Sequence, residues 1–237
     1  MDNVRMRLVS WNCNQSLSRK LPRLLALAPD LAVIQECERT LENLPDGATY
    51  LWVGNEQNPR KGLGVISFGP QISAEPLHRA IWSYFLPLNI SSPRMRLLAV
   101  WAYNHRASRF GAEHIGKPMD VFRELEDGLS GAATVVAGDF NNSVEWDRPG
   151  GPNNFAAVDN YLNKLGLRSV YHGETGESLG SESRDTYFHT KSKDNSFHID
   201  YIYAPKATPI GSVSVGSFTE WRDASDHVPI VLDFESR

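Results

Sequence analysis

The chain has 237 residues, of which 41% are hydrophobic and 22% are charged, and its net charge is −4. These values are typical of a globular protein, and we predict one domain over residues 1–237. The acidic balance excludes a globally basic surface, so a polyanionic partner would have to contact a local patch.

Targeting and redox signals are few. No apolar run approaches the roughly 20 residues of a membrane span. The N-terminal segment MDNVRMRLVSWN lacks the apolar region of a signal peptide. Cys13 and Cys37 form neither a metal-binding spacing nor a disulfide framework. We therefore expect a reducing, cytoplasmic location, with a single structural disulfide as the alternative.

The predicted elements in chain order are mostly short strands separated by helices. Segments rich in Val, Ile, Leu and aromatic residues predict strands at 7–12, 30–36, 63–69, 81–90, 96–103, 134–140, 197–204 and 228–234. Helical spacing predicts helices at 18–28, 117–129 and 153–165. The first of these has Ser18 as a candidate N-cap, and Gly166 follows the last as a stop signal.

The order of these elements indicates the architecture. Helices separate the strands at both ends of the chain, whereas residues 49–103 read as consecutive strands. Mixed sheets covered by outer helices fit this order. The Gly- and Ser-rich segment 173–183 is predicted to be an exposed loop.

The stretch VVAGDFNNS (135–143) places an acid and an amide directly after an apolar run. Asp139 and Asn141 are two residues apart, which is the side-chain period of a strand, so we expect both on the same side. A carboxylate and an amide that leave a buried strand together must be solvated, paired or used in chemistry.

Polar residues also stand at the ends of other apolar segments. They are Asn12, Asn14, Glu36, Asp200, Asp226 and His227. One such residue is usually a cap, a turn former or a hydrogen-bonded core group. Several at corresponding positions predict a shared site, because carboxylates gathered in one place need a cation or shared protons.

The residue types indicate which cation this site would hold. Asn, Asp and Glu offer hard oxygen ligands, and the chain has neither a cysteine cluster nor two histidines at helical spacing. This set favours Mg²⁺ or Mn²⁺ over Zn²⁺. Magnesium also completes its shell with water and substrate phosphate oxygens, so the pattern favours phosphoester chemistry.

Five motifs, WNCN, IQE, GDFNN, HIDYIY and SDHVPI, occur in this order between residues 11 and 230. In type, order and separation they resemble the endonuclease/exonuclease/phosphatase superfamily, which includes abasic-site endonucleases, deoxyribonucleases, deadenylases and inositol-polyphosphate phosphatases. The resemblance implies an α/β (α+β) fold, a four-layer α/β/β/α sandwich with two mixed β-sheets. It also implies a site at one end, where the two sheets meet.

The resemblance implies a metal side of the site. Glu36 matches the glutamate that binds the metal, Asn12 matches the first-strand asparagine beside it, and Asp226 matches a second metal-side carboxylate. The implied cofactor is Mg²⁺ or Mn²⁺.

The remaining motif residues are implied to be catalytic. Asp139 and Asn141 match the pair that handles the attacking water and the phosphate. His227 matches the histidine of the last motif, and Asp200 the aspartate that pairs with it. Either Asp139 or the Asp200–His227 pair could act as the general base.

The chain departs from this pattern at two places. Asn14 stands where abasic-site endonucleases carry a metal-side aspartate, and we assign it to substrate binding. The segment LLAVWAY offers two candidates for the residue that contacts phosphate in relatives. They are Trp101 and Tyr103, of which Tyr103 has the useful hydroxyl and is assigned a catalytic role.

A local basic stretch extends from Arg94 to Lys117. We propose Arg106 and Arg109 in it as contacts to a phosphate backbone, with a solvated surface as the alternative. His189 is a further candidate for substrate binding. The tryptophans at 52, 82, 146 and 221 are predicted to pack in the core or at its rim rather than to stack on bases.

Together these features predict a Mg²⁺- or Mn²⁺-dependent phosphodiesterase that acts on nucleic acid, DNA more than RNA. The first alternative is a hydrolase of a small phosphoester, such as an inositol phosphate or a lipid headgroup. The second is a non-catalytic binding module on the same fold. We expect no membrane association and no obligatory protein partner.

Overall fold

The computed structural model describes residues 4–75, 84–102, 118–130, 133–151 and 154–236. Two mixed six-stranded sheets contain most of the strands in these ranges. Buried apolar side chains from both sheets, among them Leu8, Leu31, Leu97 and Ala137, form one core between them. The sheets therefore pack face to face.

The first sheet is built from strands near the beginning and the end of the described residues. Its strands are β1 (Val4–Asn12), β2 (Leu31–Cys37), β3 (Thr49–Gly54), β4 (Gly62–Ser67), β13 (Ile210–Val215) and β14 (Ile230–Ser236). Their order is β13-β14-β1-β2-β4-β3. Only the β1–β2 pair is parallel, so the polar residues that end these two strands emerge at the same edge.

The second sheet is built from the middle of the chain. Its strands are β5 (Ile72–Ala74), β6 (Phe85–Ser91), β7 (Arg94–Trp101), β8 (Thr134–Asp139), β9 (Leu167–Ser169) and β12 (Asp200–Pro205). Their order is β5-β6-β7-β8-β12-β9. A separate two-stranded ribbon joins β10 (Tyr187–Phe188) to β11 (Ser196–Phe197).

Helices cover the outer faces of both sheets. The helices are α1 (Leu17–Leu25), α2 (Pro118–Glu124), α3 (Glu126–Leu129), α4 (Phe155–Lys164), α5 (Val170–Thr175) and α6 (Phe218–Trp221). Of these, α5 is not on an outer face, because its Val170 packs in the core between the sheets. Side chains of α1 and α6 pack on the first sheet, and those of α2 and α4 pack on the second. The predicted four-layer α/β/β/α sandwich with two mixed sheets is confirmed.

Most predicted elements are present with shifted ends. The predicted helix at 117–129 is two short helices, α2 and α3, and the predicted strand at 197–204 is divided between β11 and β12. Strands β9, β10 and β13 were not predicted, and β3 and β5 lie in the region 49–103 that was predicted to hold consecutive strands but were not delimited there. Each is short or only partly buried, so its apolar pattern is weak.

The predicted N-cap at Ser18 is wrong. Ser18 lies inside α1, and the position before the helix is Ser16, which has φ 55° and makes no side-chain cap. The carboxylate of Glu38 instead accepts hydrogen bonds from the backbone N–H groups of Leu17 and Ser18, each at 2.8 Å. A distant acidic residue thus satisfies the helix terminus, which local sequence could not reveal.

In the part of the chain that the structure describes, no helix combines the length and apolarity needed to cross a membrane.

Candidate active site

The polar residues at the strand ends meet at one end of the sandwich. Asn12 and Glu36 belong to the carboxyl ends of β1 and β2, and Asp139 ends β8. Asp200 begins β12, which runs antiparallel to β8, and is paired with Asp139 in register. His227 precedes β14, so five segments deliver polar side chains to the same place.

A β-bulge turns Glu36 toward this site. The alternation of β2 places Ala32 and Ile34 on the outer face with the helices, and it would place Glu36 there too. The pairing of β2 with β4 shifts between Gln35 and Cys37, and Glu36 has φ 59°. The extra residue re-aims the carboxylate, whose Oε1 atom accepts a 3.4 Å hydrogen bond from Asn12 Nδ2.

Asn12 connects the metal side to Asp139. Its Nδ2 atom also donates to Asp139 Oδ2 at 3.0 Å, and its Oδ1 atom accepts from the backbone N–H of Asn14 at 3.1 Å. Asn14 Nδ2 donates to Asp226 Oδ1 at 3.0 Å. One hydrogen-bonded network therefore includes all the predicted metal-side residues and Asn14.

Asp139 and Asn141 lie together, as the two-residue spacing predicts, but for a different reason. Strand β8 ends at Asp139, and Asn141 has φ 47°, outside the extended region. The turn lets the backbone N–H of Asn141 donate to Asp139 Oδ1 at 2.7 Å. Asn141 Nδ2 donates to Ala102 O at 2.8 Å and to Asp139 Oδ2 at 3.3 Å. Donation from this amide to a phosphate oxygen would require one of these bonds to break.

Gly138 allows β8 to approach its neighbour closely. Its φ is 152°, and a Cβ atom at this position would lie 1.8 Å from the carbonyl oxygen of Val100 on β7. No residue with a side chain fits this contact. The glycine before Asp139 is therefore required by the backbone that presents the carboxylate.

His227 and Asp200 form a buried pair. His227 Nδ1 lies 2.8 Å from Asp200 Oδ2, and Thr186 Oγ1 accepts the backbone N–H of Asp200 at 3.0 Å. The Tyr187 ring packs against the imidazole with centroids 4.7 Å apart. Burial lowers the pKa of His227, but the charge of Asp200 and the hydrogen bond to it outweigh this and raise it to about 10.

Asp139 is fully buried and does not line the cleft itself. It contacts Asn12 and Asn141, which line the cleft together with His227. Burial and then the negative charge of Asp200 raise the pKa of Asp139 to about 7, against the opposing effect of His227. One carboxylate oxygen each from Asp139 and Asp200 and one ring nitrogen of His227 lie within 4.8 Å of one another. Two carboxylates and an imidazole thus lie close together in one buried cluster.

The residues present fit a hard divalent cation. Glu36, Asp226 and Asn12 offer oxygen atoms, which Mg²⁺ and Mn²⁺ prefer. The Glu36 carboxylate already attracts a cation within the protein, because Lys61 Nζ lies 2.8 Å from its Oε2 atom. In addition, Asp200 Oδ1 is buried and accepts no hydrogen bond from the described part of the chain.

The predicted substrate-binding residues have different outcomes. Trp101 and His189 both line the cleft, and Trp101 is paired with Asp139 across β7 and β8. The catalytic candidate Tyr103 and the substrate-binding candidates Arg106 and Arg109 lie outside the described residues.

Sequence reasoning missed two features of the cleft. Lys61 was not singled out because it lies far along the chain from every motif, immediately before β4. Trp146 was predicted to pack in the core or at its rim, but it lines the cleft and is 38% exposed. An aromatic residue in a polar stretch, NNSVEWDRPGG, is the signal that could have indicated this exposure.

A model of the Endonuclease/Exonuclease/phosphatase family matches residues 9–227. The chain belongs to this family. It is therefore a phosphoesterase by family, and the family uses divalent metal ions. A comparison with curated protein sequences found no match.

Solved structures of the endonuclease/exonuclease/phosphatase family share the fold. A 3′-5′ exonuclease from Neisseria meningitidis has a TM-score of 0.73 and 19% identity, covering 97% of this chain and 99% of that one. A 3′ phosphatase from Neisseria bound to product DNA hairpin has a TM-score of 0.69 and 19% identity, and the match covers 97% of this chain and 99% of that one. The endonuclease domain of TRAS1, a telomere-specific non-LTR retrotransposon, has a TM-score of 0.67 and 13% identity, and the match covers 98% of each chain.

Proposed function

We propose that this protein is a Mg²⁺- or Mn²⁺-dependent phosphodiesterase that hydrolyses nucleic acid, with DNA as the preferred substrate. The observation that carries the proposal is the position of Asp139. It contacts Asn12 on the metal side and Asn141 at the cleft, and it lies beside the Asp200–His227 pair. Asp139 therefore lies between the metal side, the cleft and a buried imidazole, which are the groups that metal-assisted phosphoester hydrolysis would use.

The pKa shifts of Asp139 and His227 support different roles for these two groups. Asp139, with its pKa raised to about 7, is matched to accept a proton from water near neutral pH. His227, with its pKa raised to about 10, remains an imidazolium at that pH. We assign Asp139 as the general base and His227 as the cation that stabilises charge on the phosphoryl oxygens. A divalent ion at Glu36 would supply further neutralisation at the leaving oxygen.

The walls of the cleft support a nucleic-acid substrate. The cleft holds about 390 Å³, and beyond the polar residues it is lined by aromatic and imidazole side chains. The Trp146 ring packs edge-on against Phe197 with centroids 4.8 Å apart and remains 38% exposed. Exposed rings beside a phosphate site suit the stacking of nucleobases, for which a small phosphoester has no need.

Two of the structural neighbours add support for a nucleic-acid substrate, and one of them for DNA. One is described as a 3′-5′ exonuclease, and the other was solved with a product DNA hairpin. The proposal requires no obligatory protein partner and no membrane surface, and we retain the cytoplasmic location predicted from the sequence.

A substrate panel tests this proposal. Purified protein would be incubated with single-stranded DNA, double-stranded DNA, an abasic duplex, RNA and a small chromogenic phosphodiester. Each incubation would contain Mg²⁺, Mn²⁺ or a chelator. We expect metal-dependent cleavage, with DNA as the best substrate.

Three results would contradict parts of the proposal. Cleavage that survives the chelator would exclude the metal mechanism. Faster turnover of RNA than of DNA would show that RNA, and not DNA, is the preferred substrate. Turnover of the small ester at a higher kcat/KM than any polynucleotide would favour the small-phosphoester alternative.

A further inference from the structure

Lys61 is a cation held at the metal side of the site. It immediately precedes β4, and Gly62 of β4 is paired with Cys37 beside the bulge at Glu36. This pairing brings Lys61 Nζ to 2.8 Å from Glu36 Oε2. The same ammonium lies 5.4 Å from the ring centroid of Trp101.

Both oxygens of the Glu36 carboxylate have partners in this arrangement. Oε2 pairs with Lys61, and Oε1 accepts from Asn12. The Glu36 side chain is 17% exposed and that of Lys61 is 31% exposed, so water screens the pair only partly. A divalent ion that binds Glu36 would therefore compete with the ammonium for this carboxylate.

We propose that Lys61 and the divalent ion exchange at Glu36, and that the released ammonium then pairs with a phosphate of the substrate. This inference rests on the proposed function. The lysine side chain suits such an exchange because its compact charge is carried on a flexible four-carbon stem. When no metal is bound, Lys61 neutralises a carboxylate that would otherwise face the other acidic groups of the site.

The surroundings of Lys61 support its second position. The Trp101 ring offers a cation–π contact that keeps the ammonium within the cleft after it leaves Glu36. Lys61 is the sole lysine or arginine among the described residues that line this cleft. A phosphodiester in the cleft would therefore have this ammonium as a positively charged partner beside the His227 imidazolium. The proposal therefore predicts that loss of Lys61 strengthens metal binding but weakens substrate binding.

Metal binding without substrate is the direct test. Mn²⁺ affinity would be measured by electron paramagnetic resonance for the wild type, Lys61→Met, Lys61→Arg and Arg60→Met. We expect Lys61→Met to bind Mn²⁺ about three- to fivefold more tightly, which is the range expected for an ion pair of this exposure. Lys61→Arg keeps the charge and should bind like the wild type. Arg60→Met removes an exposed neighbouring charge and should also change little, because salt screens it.

Two further measurements isolate the exchange. In a Glu36→Gln background, Lys61→Met should no longer tighten Mn²⁺ binding, because the ammonium has lost its partner. On DNA at saturating metal, Lys61→Met should raise KM about threefold or more, whereas Lys61→Arg should restore KM. Circular dichroism would verify that each variant is folded.

The outcomes separate this inference from the proposed function. Wild-type protein that binds no Mn²⁺ would contradict the proposed function itself. Wild-type binding with an unchanged or weaker affinity in folded Lys61→Met would overturn the exchange. Tighter metal binding without any rise in KM would overturn the role of Lys61 at the substrate phosphate.

Discussion

His227 Nδ1 lies 2.8 Å from Asp200 Oδ2, and the two side chains are only 6% and 1% exposed. Asp200 comes from the start of β12, whereas His227 precedes β14 in the other sheet. The pair thus joins the two sheets at the end of the sandwich. Because a buried imidazolium is costly without a counter-charge, Asp200 determines both the orientation and the charge of His227.

Asp200→Asn should lower kcat by about 10²-fold or more, because His227 loses the carboxylate that raises its pKa. The pKa of His227, followed by nuclear magnetic resonance of the metal-free protein, should fall. Asp223→Asn, at a carboxylate that is 78% exposed, is the matched control and should retain activity. An unchanged His227 pKa in Asp200→Asn would show that another group charges the imidazole.

Glu36→Gln should raise the metal concentration needed for half-maximal activity more than it lowers activity at saturating metal. A Mg²⁺ site that relies on few carboxylates depends strongly on each of them. The measurement is a titration of activity with Mg²⁺, with Glu56→Gln, at a side chain that is 70% exposed, as the control. Reduced activity with an unchanged metal requirement would exclude Glu36 as a ligand.

Trp146→Ala should raise KM on DNA by roughly tenfold, since stacking of a base on an aromatic ring contributes about 1–3 kcal/mol. Trp146→Phe retains a ring and should restore most of the affinity. The kcat on a small phosphodiester should remain unchanged, because the reacting groups do not include Trp146. An equal loss of kcat/KM on both substrates would indicate damaged packing against Phe197 instead.

His198 should make the protein less stable as the pH falls below about 6.5. Burial lowers the pKa of this histidine below its usual 6.5, so the unfolded chain binds its proton first. Protonation then favours unfolding, and the stability present above pH 6.5 is lost on acidification. The urea midpoint measured from pH 7.5 to 5.5 should fall more steeply for the wild type than for His198→Asn, whose amide can still donate to Arg184 O. Parallel curves would show that His198 does not contribute.

The strand ends were predictable because polar residues interrupt strongly apolar segments. Asn12, Asp139 and Asp200 each stand at the end of a buried strand, and this pattern depends only on burial. The motif order added the pairing of Asp200 with His227, which the structure also shows. These features arise from local composition and from positions that recur in one family.

The remaining features depend on tertiary geometry. The bulge that turns Glu36 inward arises from its pairing with β4, and nothing within IQEC specifies it. Lys61 reaches Glu36 only because β4 neighbours β2, and Glu38 caps α1 from the next strand end. The position of Trp146 likewise depends on its packing against Phe197, which is 51 residues later in the chain.

The central claim is that Asp139 activates the attacking water in a metal-dependent site. The most direct measurement compares DNA cleavage by the wild type and Asp139→Asn at saturating Mn²⁺, with a chelator control and with Mn²⁺ affinity measured on the same samples. The account predicts a loss of at least about 10²-fold in kcat with metal affinity retained, because the amide keeps the shape but cannot accept the proton. Near-normal cleavage by Asp139→Asn, or wild-type cleavage in the chelator, would contradict it.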